Sequence, residues 1–495
     1  MSPKPRDVTL ESPRALFING EWIEPSSTAT FDVIDPSTEE HFVTVAAADS
    51  TDMDRAIGAA RRAFDDGPWS HLPVAERAEY LRALADGYRK RMEDVAVGQT
   101  CEMGVLYAFS QYSAPGAAAT YDLYADMADE FPFAERRATT SGAALALLVH
   151  EPVGVVGAIV PWNSPSSLTA YKVGPALLAG CSVVLKSSPE APVEGIILAE
   201  VAQAIGLPPG VLNHVTADRD VSEEMVADPR IDKVAFTGSA AAGRRIASIC
   251  GGRMARYTLE LGGKSPAIIL DDYDLGRAAA SLATSAPRMN GQTCASLTRV
   301  VVRRDRHDDF VDALCDAFSK IVVGDPFEPE TQMGPLATSR QLERVQGYIQ
   351  AGIDEGARLA YGGSQPSHLD RGYFIEPTIF ADVDNHSKIA QEEIFGPVLS
   401  VIAADDEADA LRIGNDTEYG LNAVVFTDDA ERALEVARTM RAGTVGHNST
   451  LYDFEIGFGG FKQSGVGREG GLQGLHAFLE NKTVLLAQVP DSAPS

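Results

Sequence analysis

The spacing of hydrophobic and polar positions changes part-way along the chain. In the first part, apolar residues recur every three or four positions, as in Met53, Ile57 and Phe64, and this spacing predicts amphipathic helices. Thr51 followed by Asp54 resembles a capping box at the start of the first of these helices. We therefore expect the N-terminal part to begin with helical layers.

From residue 153 onward, short apolar and β-branched runs alternate with segments of helical spacing, which is typical of a mostly parallel α/β sheet. The first alternation has its strand-like runs at 153–160, 182–186, 211–215 and 234–238. A second alternation has runs at 266–270 and 298–302 and a helix over 307–321. We predict two α/β lobes in tandem, with their boundary near Gly262-Gly263.

Two segments, 131–152 and the tail after about 463, fit neither lobe. Residues 143–149 are apolar and strand-like, yet they interrupt the first lobe. A lone apolar strand leaves an unpaired edge that must be covered, which predicts pairing with another subunit. A hairpin folded back on its own lobe explains the pattern equally well.

The charge balance narrows the range of partners. The 42 Lys and Arg residues against 70 Asp and Glu residues give a net charge of −28. Such an acidic surface repels phosphate backbones and anionic lipid, so we expect neither nucleic acid nor a membrane as a partner. The composition is otherwise that of a soluble globular protein, with 45% hydrophobic and 23% charged residues.

The five cysteines form neither a disulfide framework nor a metal cluster by their spacing. Their number is odd and none forms a C-x-x-C pair, so we expect no metal site. The first residues have no apolar core of a signal peptide, and we expect a reducing cytoplasmic location. A cysteine with a special role must then be special through its reactivity.

Chemistry is expected where parallel strands end, because ligands of open α/β sheets bind there. Asn163 follows the first run in a stiff Pro-Trp-Asn-Ser-Pro turn, and Lys186 ends the second. Gly238 and Ser239, with small residues up to Gly243, open the helix after the fourth and could cradle a diphosphate. A tight turn with close helix packing explains these glycines equally well; together with Lys186 they favour a dinucleotide site.

Three further residues are candidates for chemistry. Cys294 follows Asn-Gly-Gln-Thr, a polar turn that would expose its thiol, although a buried inert cysteine is the common alternative. Glu260 interrupts an apolar strand, as either a paired structural carboxylate or a general base with a raised pKa. Glu393 is either part of a site or an exposed loop charge.

Taken in order, these pieces resemble the NAD(P)-dependent aldehyde dehydrogenase superfamily over nearly the whole chain. The motifs that carry the resemblance are FINGEW, HEPVGVVGAIVPWN, AYKVGPALLAG, FTGS, LELGGKSP, NGQTC, RGYFIEPTIF, EEIFGPV and FGGFKQSGVGRE. The resemblance implies two Rossmann-like lobes and a small β element for oligomerisation. The NAD(P)-binding lobe would comprise 1–130 and 153–262, the catalytic lobe 263–463, and the oligomerisation element 131–152 and 464–495.

The resemblance also implies an activity, the oxidation of an aldehyde to a carboxylic acid. Cys294 would be the nucleophile, forming a thiohemiacetal and then a thioester. The Asn163 amide and the Cys294 backbone N–H would hold the oxyanion. Glu260 would activate the water that hydrolyses the thioester, and Lys172 matches a lysine near this proton-handling machinery.

The same similarity implies NAD as cofactor, with NADP open, a small-molecule aldehyde as substrate, and a homo-oligomer, dimer or tetramer. The cofactor residues it implies are Ile159, Val160, Pro161, Trp162, Lys186, Ser188, Gly238, Ser239, Gly243, Leu261, Glu393 and Phe395. NADP stays open because Pro189 stands where NAD-preferring members often carry a glutamate, and Ser188 could donate to a 2′-phosphate. Ser296 stands where Gly or Ala is usual, which would reshape the substrate tunnel.

Two other functions compete with this one. A CoA-acylating enzyme would pass the thioester to a thiol; Glu260 at the hydrolytic position argues against it. A catalytically silent binding or structural protein on the same scaffold would not need Cys294, Glu260 and Asn163 together. The segments expected to line the tunnel mix aromatic and small residues, which favours an uncharged aliphatic or aromatic aldehyde.

Overall fold

A computed structural model of the chain describes residues 6–491. Two short stretches lie outside the described residues. They are residues 1–5, at the start of the predicted NAD(P)-binding lobe, and residues 492–495, at the end of the predicted oligomerisation element. Within 6–491 the α-helices are α1 Ser50–Asp65, α2 Val74–Arg89, α3 Met92–Met103, α4 Tyr107–Glu130, α5 Pro165–Ala179, α6 Val193–Ala204, α7 Arg219–Ala227, α8 Ala240–Gly252, α9 Leu275–Ser285, α10 His307–Phe318, α11 Ser339–Asp354, α12 Lys388–Gln391, α13 Glu407–Asn415, α14 Ala430–Thr439 and α15 Gly471–His476. None of the helices in this described part combines the length and the apolar composition needed to cross a bilayer.

An eight-stranded sheet forms the first large layer. Its strands are β1 Leu16–Ile18, β2 Glu21–Ile23, β7 Val155–Ile159, β8 Ser182–Ser187, β9 Leu212–Thr216, β10 Lys233–Thr237, β11 Arg256–Glu260 and β19 Gly465–Val466. The order is β19-β11-β10-β7-β8-β9-β1-β2, and the five strands from β11 to β9 run parallel. The four predicted runs of the first lobe are four of these five strands.

A seven-stranded sheet forms the second layer. Its strands are β12 Ser265–Ile269, β13 Leu297–Arg303, β14 Arg358–Tyr361, β15 Thr378–Ala381, β16 Val398–Ala404, β17 Asn422–Phe426 and β18 Thr444–His447, in the order β14-β15-β16-β13-β12-β17-β18. The first sheet's β11 ends at Glu260 and β12 begins at Ser265, so the chain passes from one sheet to the other at Gly262-Gly263.

Burial on both faces explains why the central strands are apolar without alternation. Val183 and Leu185 of β8 belong to the hydrophobic cluster on one face of the first sheet, and Val184 belongs to the cluster on the other. The second sheet repeats this arrangement, with Val301 on one face and Val300 on the other. The prediction of two Rossmann-like α/β lobes is confirmed.

The predicted capping box is wrong by two residues. Asp49 is the N-cap of α1, and its carboxylate accepts from the backbone N–H groups of Thr51 and Asp52. In turn, the Asp52 carboxylate accepts from the Asp49 backbone N–H. An aspartate is a better N-cap than a residue already inside the first turn, so the helix begins at Ser50.

A third, three-stranded sheet joins the two segments that fitted neither lobe. Its strands are β5 Ala134–Arg136, β6 Leu145–Pro152 and β20 Leu479–Leu486, all antiparallel in the order β20-β6-β5. The expectation of an unpaired edge at 143–149 is wrong, because β6 lies in the centre of this sheet and pairs on both sides within the chain. The remaining hairpin is β3 Thr30–Asp35 with β4 Glu40–Ala46.

Candidate active site

The thiol of Cys294 opens onto a large cavity. Cys294 follows a short 3-10 turn, Arg288–Gly291, precedes β13, and lines a cavity of about 1200 Å³ to which both lobes contribute. Burial raises the pKa of this thiol to about 12, and the nearby carboxylates of Glu393 and Glu260 act in the same direction. The thiol is therefore protonated at neutral pH, so attack on a carbonyl requires a proton acceptor.

Asn163 presents its amide beside the Cys294 loop. It lies after the end of β7 and before α5, is 9% exposed, and lines the same cavity. Its Nδ2 donates to the backbone carbonyl of Gln292 at 3.1 Å, which fixes the orientation of the amide. An NH₂ group has a second hydrogen, which can point to an oxyanion on a carbon attached to Cys294.

Glu260 ends β11 and is 3% exposed, and it also lines the cavity. Neither carboxylate oxygen has a hydrogen-bond partner among the described residues. Burial raises the pKa of Glu260 well above its ordinary value; the charge of Glu469 adds to this, and Lys172 opposes it. A carboxylate in such surroundings is a stronger base than a solvated one, which suits proton abstraction from water or from a thiol.

Lys172 is held by another carboxylate. Its ammonium, on α5 and fully buried, donates at 2.6 Å to Oε1 of Glu469 and at 2.6 Å to the hydroxyl of Thr237. The charges of this ion pair both act on Glu260: Glu469 raises its pKa and Lys172 lowers it. Glu469 is not among the site residues predicted from the sequence, although it is the last residue of the motif FGGFKQSGVGRE.

The residues that immediately precede helix α8 border the cavity. Gly238 and Ser239 line the cavity, and the Ser239 hydroxyl caps the helix by accepting from Ala242 N. The free N–H groups of a helix N-terminus favour an anion such as a diphosphate. Gly243 has another use, because a Cβ there would lie 2.6 Å from the Leu261 side chain. It therefore permits helix α8 to pack closely on the segment after β11.

The predicted cofactor residues divide into two groups. Those that line the cavity are Pro161, Trp162, Gly238, Ser239, Leu261, Glu393 and Phe395. Those that do not line it are Ile159, Val160, Lys186, Ser188 and Gly243. Lys186 is the penultimate residue of β8 and is nearly buried, and this burial lowers its pKa to about 8 against the opposing charge of Glu190. The Ser188 hydroxyl donates to the Glu190 carboxylate, so it is already engaged.

Glu393 and Phe395 approach the cavity from the loop before β16. The Glu393 carboxylate accepts from Gly263 N at 3.1 Å, and burial raises its pKa to about 7. Gly262 makes this approach feasible, because a Cβ there would lie 2.3 Å from a Glu393 oxygen. Phe395 meets Trp162 edge to face at 5.4 Å between ring centroids. These contacts hold a carboxylate and an aromatic pair at one side of the cavity.

Aromatic side chains form another part of the cavity wall. Tyr171 on α5 stacks on Phe454 with ring centroids 4.5 Å apart, and Phe454 packs on Phe458. On α4, Phe109 lines the cavity, and the guanidinium of Arg288 lies over its ring at 5.3 Å. An aromatic wall binds apolar ligand surface and makes few hydrogen bonds.

Comparison with known proteins agrees with this geometry. The model of the Aldehyde dehydrogenase family matches residues 22–484. The chain belongs to the aldehyde dehydrogenase family. It is 43% identical to geranial dehydrogenase from Castellaniella defragrans over 95% of this chain and 98% of that protein. The enzyme class and the family that the motifs predicted are both confirmed.

Solved structures of other aldehyde dehydrogenases share the whole architecture. A Mycobacterium tuberculosis aldehyde dehydrogenase in complex with NAD⁺ is 41% identical, with a TM-score of 0.93 over 97% of this chain and 99% of that one. A variant of aldehyde dehydrogenase C from Pseudomonas syringae, in complex with NAD⁺ and octanal, is 37% identical, with a TM-score of 0.93 over 98% of this chain and 100% of that one. This aldehyde dehydrogenase therefore has the fold class that the sequence predicted.

Proposed function

We propose that this aldehyde dehydrogenase oxidises an aldehyde to its carboxylic acid with NAD, through a thioester on Cys294 that water hydrolyses. One observation carries the proposal: Cys294, Asn163 and Glu260 line one cavity together with Gly238 and Ser239, which immediately precede α8. A thiol, an oxyanion donor and a buried base in one place are the groups that acyl transfer through a thiol requires. A binding or structural protein has no need of this set.

The residues of the chain perform the covalent steps. Glu260 takes the proton of Cys294 as the sulfur forms a bond to the carbonyl carbon and the C=O electron pair moves to oxygen. The Asn163 amide and the Cys294 N–H stabilise that oxyanion. When bound, NAD supplies the acceptor for the hydride that leaves this carbon. As the C=O bond re-forms, the product on Cys294 is a thioester.

Hydrolysis returns the thiol. Once Glu260 has released the thiol proton to solvent, it takes a proton from water, the water oxygen adds to the thioester carbon, and the C–S bond breaks with its electron pair on sulfur. The sulfur regains a proton and the carboxylic acid leaves. A base that is nearly buried and free of hydrogen bonds can accept these protons, which supports hydrolysis over transfer to CoA.

The cofactor proposal is NAD in preference to NADP. Gly238, Ser239, Glu393 and Phe395 would hold the cofactor along one side of the cavity. At the end of β8, the Glu190 carboxylate lies one residue beyond Pro189 and accepts from Ser188. A 2′-phosphate there would meet this negative charge, while ribose hydroxyls could donate to it. The structures of the two relatives with NAD⁺ support the same choice.

We further propose an uncharged, largely apolar aldehyde, because Phe109, Tyr171 and Phe454 line its side of the cavity. The named substrate of geranial dehydrogenase and the octanal bound to the Pseudomonas enzyme have this character.

The five free cysteines among the described residues suit a cytoplasmic location. β20, an edge strand with half-exposed Leu485, is proposed as the contact of a homodimer or tetramer, which light scattering would measure.

The test is a steady-state assay of octanal and geranial with NAD or NADP, with and without CoA. With NAD, we expect NADH and the free acid whether or not CoA is present, and no acyl-CoA. Cys294→Ala should abolish turnover, whereas Cys315→Ala, which changes a cysteine outside the cavity, should not. Full turnover by the Cys294 variant, or an absolute requirement for CoA, would contradict the proposal.

A further inference from the structure

The turn before Cys294 has an uncommon backbone. Met289, Asn290 and Gly291 have consecutive left-handed φ values of 52°, 58° and 74°. Glycine adopts this region freely, asparagine tolerates it and methionine seldom does. Residues in such conformations cluster at functional sites and persist only where surrounding contacts hold them. Contacts from the surrounding structure must therefore hold this turn.

The side chain of Asn290 supplies such contacts. It is 1% exposed, and its Nδ2 donates to the carbonyl of Pro335 at 2.7 Å and to that of Gly104 at 2.9 Å. Its Oδ1 accepts from Gly334 N at 2.8 Å. An asparagine side chain has four such hydrogen-bonding positions, so three are in use without water.

These partners come from both lobes. Gly104 ends α3 and lies just before α4, which carries Phe109 of the cavity wall. Gly334 and Pro335 lie in the catalytic lobe, and a Cβ at Gly334 would meet the Gly104 carbonyl oxygen at 2.0 Å. Asn290 therefore fastens the loop of the nucleophile to a close contact between the lobes.

Hydrogen bonds connect the same loop to the proposed oxyanion site. Two residues after Asn290, the Gln292 side chain accepts from Ala337 N at 2.9 Å, again from the segment after Pro335. The Gln292 carbonyl accepts from the Asn163 amide at 3.1 Å. Moving the turn would displace this carbonyl, and with it both the amide and the Cys294 N–H.

We infer that Asn290 is a positioning residue: its three hydrogen bonds hold the left-handed turn against both lobes and thereby set the geometry of Cys294 and Asn163. The inference rests on the proposed function, since it requires Cys294 to be the nucleophile. Asn290 touches no reacting atom. Its loss should slow the covalent step while leaving cofactor binding intact.

The chain offers a matched control in Asn213. This asparagine is fully buried in β9 of the NAD(P)-binding lobe and makes the same set of bonds: Nδ2 to the carbonyls of Gly210 and Val183, and Oδ1 from Asn19 N. Asn213→Asp and Asn290→Asp replace the same donors by an acceptor that faces two carbonyl oxygens. A general loss of packing affects both variants alike; a loss of positioning affects Asn290 alone.

The experiment measures kcat, KM for octanal, the Kd of NAD, the rate of Cys294 alkylation by iodoacetamide and the melting temperature. For Asn290→Asp we expect at least a tenfold fall in kcat and an altered alkylation rate, with the Kd of NAD within twofold. Asn290→Gly keeps a residue that suits the backbone and removes only the hydrogen bonds, so it should show the same fall and remains informative if the Asp variant does not fold. Asn213→Asp should lower the melting temperature and leave kcat within twofold.

Two results would overturn the inference: wild-type kcat in Asn290→Gly, or an equal fall in kcat in Asn213→Asp. Failure of the proposed function has a different signature, because Cys294→Ala would then retain turnover whatever the Asn290 variants do. The two failures are therefore distinguishable within one set of proteins.

Discussion

Lys172 and Glu469 form a buried ion pair with 2.6 Å between Nζ and Oε1, beside a Glu260 carboxyl that has no hydrogen bond among the described residues. Because Lys172 pairs with Glu469, the Glu260 carboxyl is left without an ion-pair or hydrogen-bond partner among the described residues. Burial and the charge of Glu469 raise the pKa of Glu260, while Lys172 opposes this rise. The reactivity of Glu260 is thus adjusted by Glu469.

Replacing Glu469 with Gln should lower the pKa of Glu260. The variant removes a negative charge that raises this pKa and releases the Lys172 ammonium, which lowers it, so both changes have the same sign. We expect the acid limb of the kcat profile to move to lower pH, measured under conditions where hydrolysis limits the rate. An unmoved or upward-shifted limb would contradict this assignment.

The same variant should destabilise the protein by about 3 kcal/mol, because it leaves a buried lysine without its counter-ion. The double variant Lys172→Met with Glu469→Gln removes both charges and should recover much of that loss. Denaturant unfolding measures both values. Equal stability of the single and double variants would show that the ion pair is not the source of the loss.

Replacing Glu260 with Gln should stop hydrolysis of the thioester while preserving the fold. A general base contributes about 10²- to 10⁴-fold, so steady-state turnover should fall by that order. If another group accepts the thiol proton, rapid mixing should show a burst of NADH followed by a stall. Hydroxylamine, which attacks the thioester without needing that base, should then restore turnover with a hydroxamate as product. Full steady-state activity of the Glu260→Gln variant without hydroxylamine would show that another residue is the base.

Replacing Glu190 with Gln should make NADP a better cofactor. The change removes a negative charge close to Lys186, which currently opposes a 2′-phosphate. We expect the ratio of kcat/KM for NADP over NAD to rise roughly tenfold, equal to about 1.4 kcal/mol. Glu330→Gln, which removes the same charge from an exposed position, is the control and should leave the ratio unchanged.

Replacing Gly291 with Ala should destabilise the nucleophile loop. Gly291 has φ +74°, and a Cβ there would lie 2.4 Å from the backbone of Gly396 and Pro397. Overpacking and the left-handed backbone together predict a loss of about 3 kcal/mol with a fall in kcat. Gly251→Ala, in a helix with open space around it, should leave stability and kcat nearly unchanged. Thermal unfolding and steady-state kinetics check both variants.

The pattern of residues along the sequence predicts some features of the fold and not others. The strand-like runs were predictable, because burial of both sheet faces forces apolar runs. The place of 143–149 was not, since its partner β20 begins more than 300 residues later. For Gly243 the sequence leaves a phosphate contact and close helix packing open, and its distance to Leu261 favours packing.

The sequence by itself determined the family, the two α/β lobes and the identity of the candidate nucleophile, base and oxyanion donor, because each depends on local order along the chain. Tertiary structure decided which groups meet: that Lys172 pairs with Glu469, that Ser188 is engaged by Glu190, and that Asn290 fastens the Cys294 loop to both lobes. The physical reason is that burial and charge pairing depend on distances between segments far apart in the chain, and spacing along the sequence does not encode those distances.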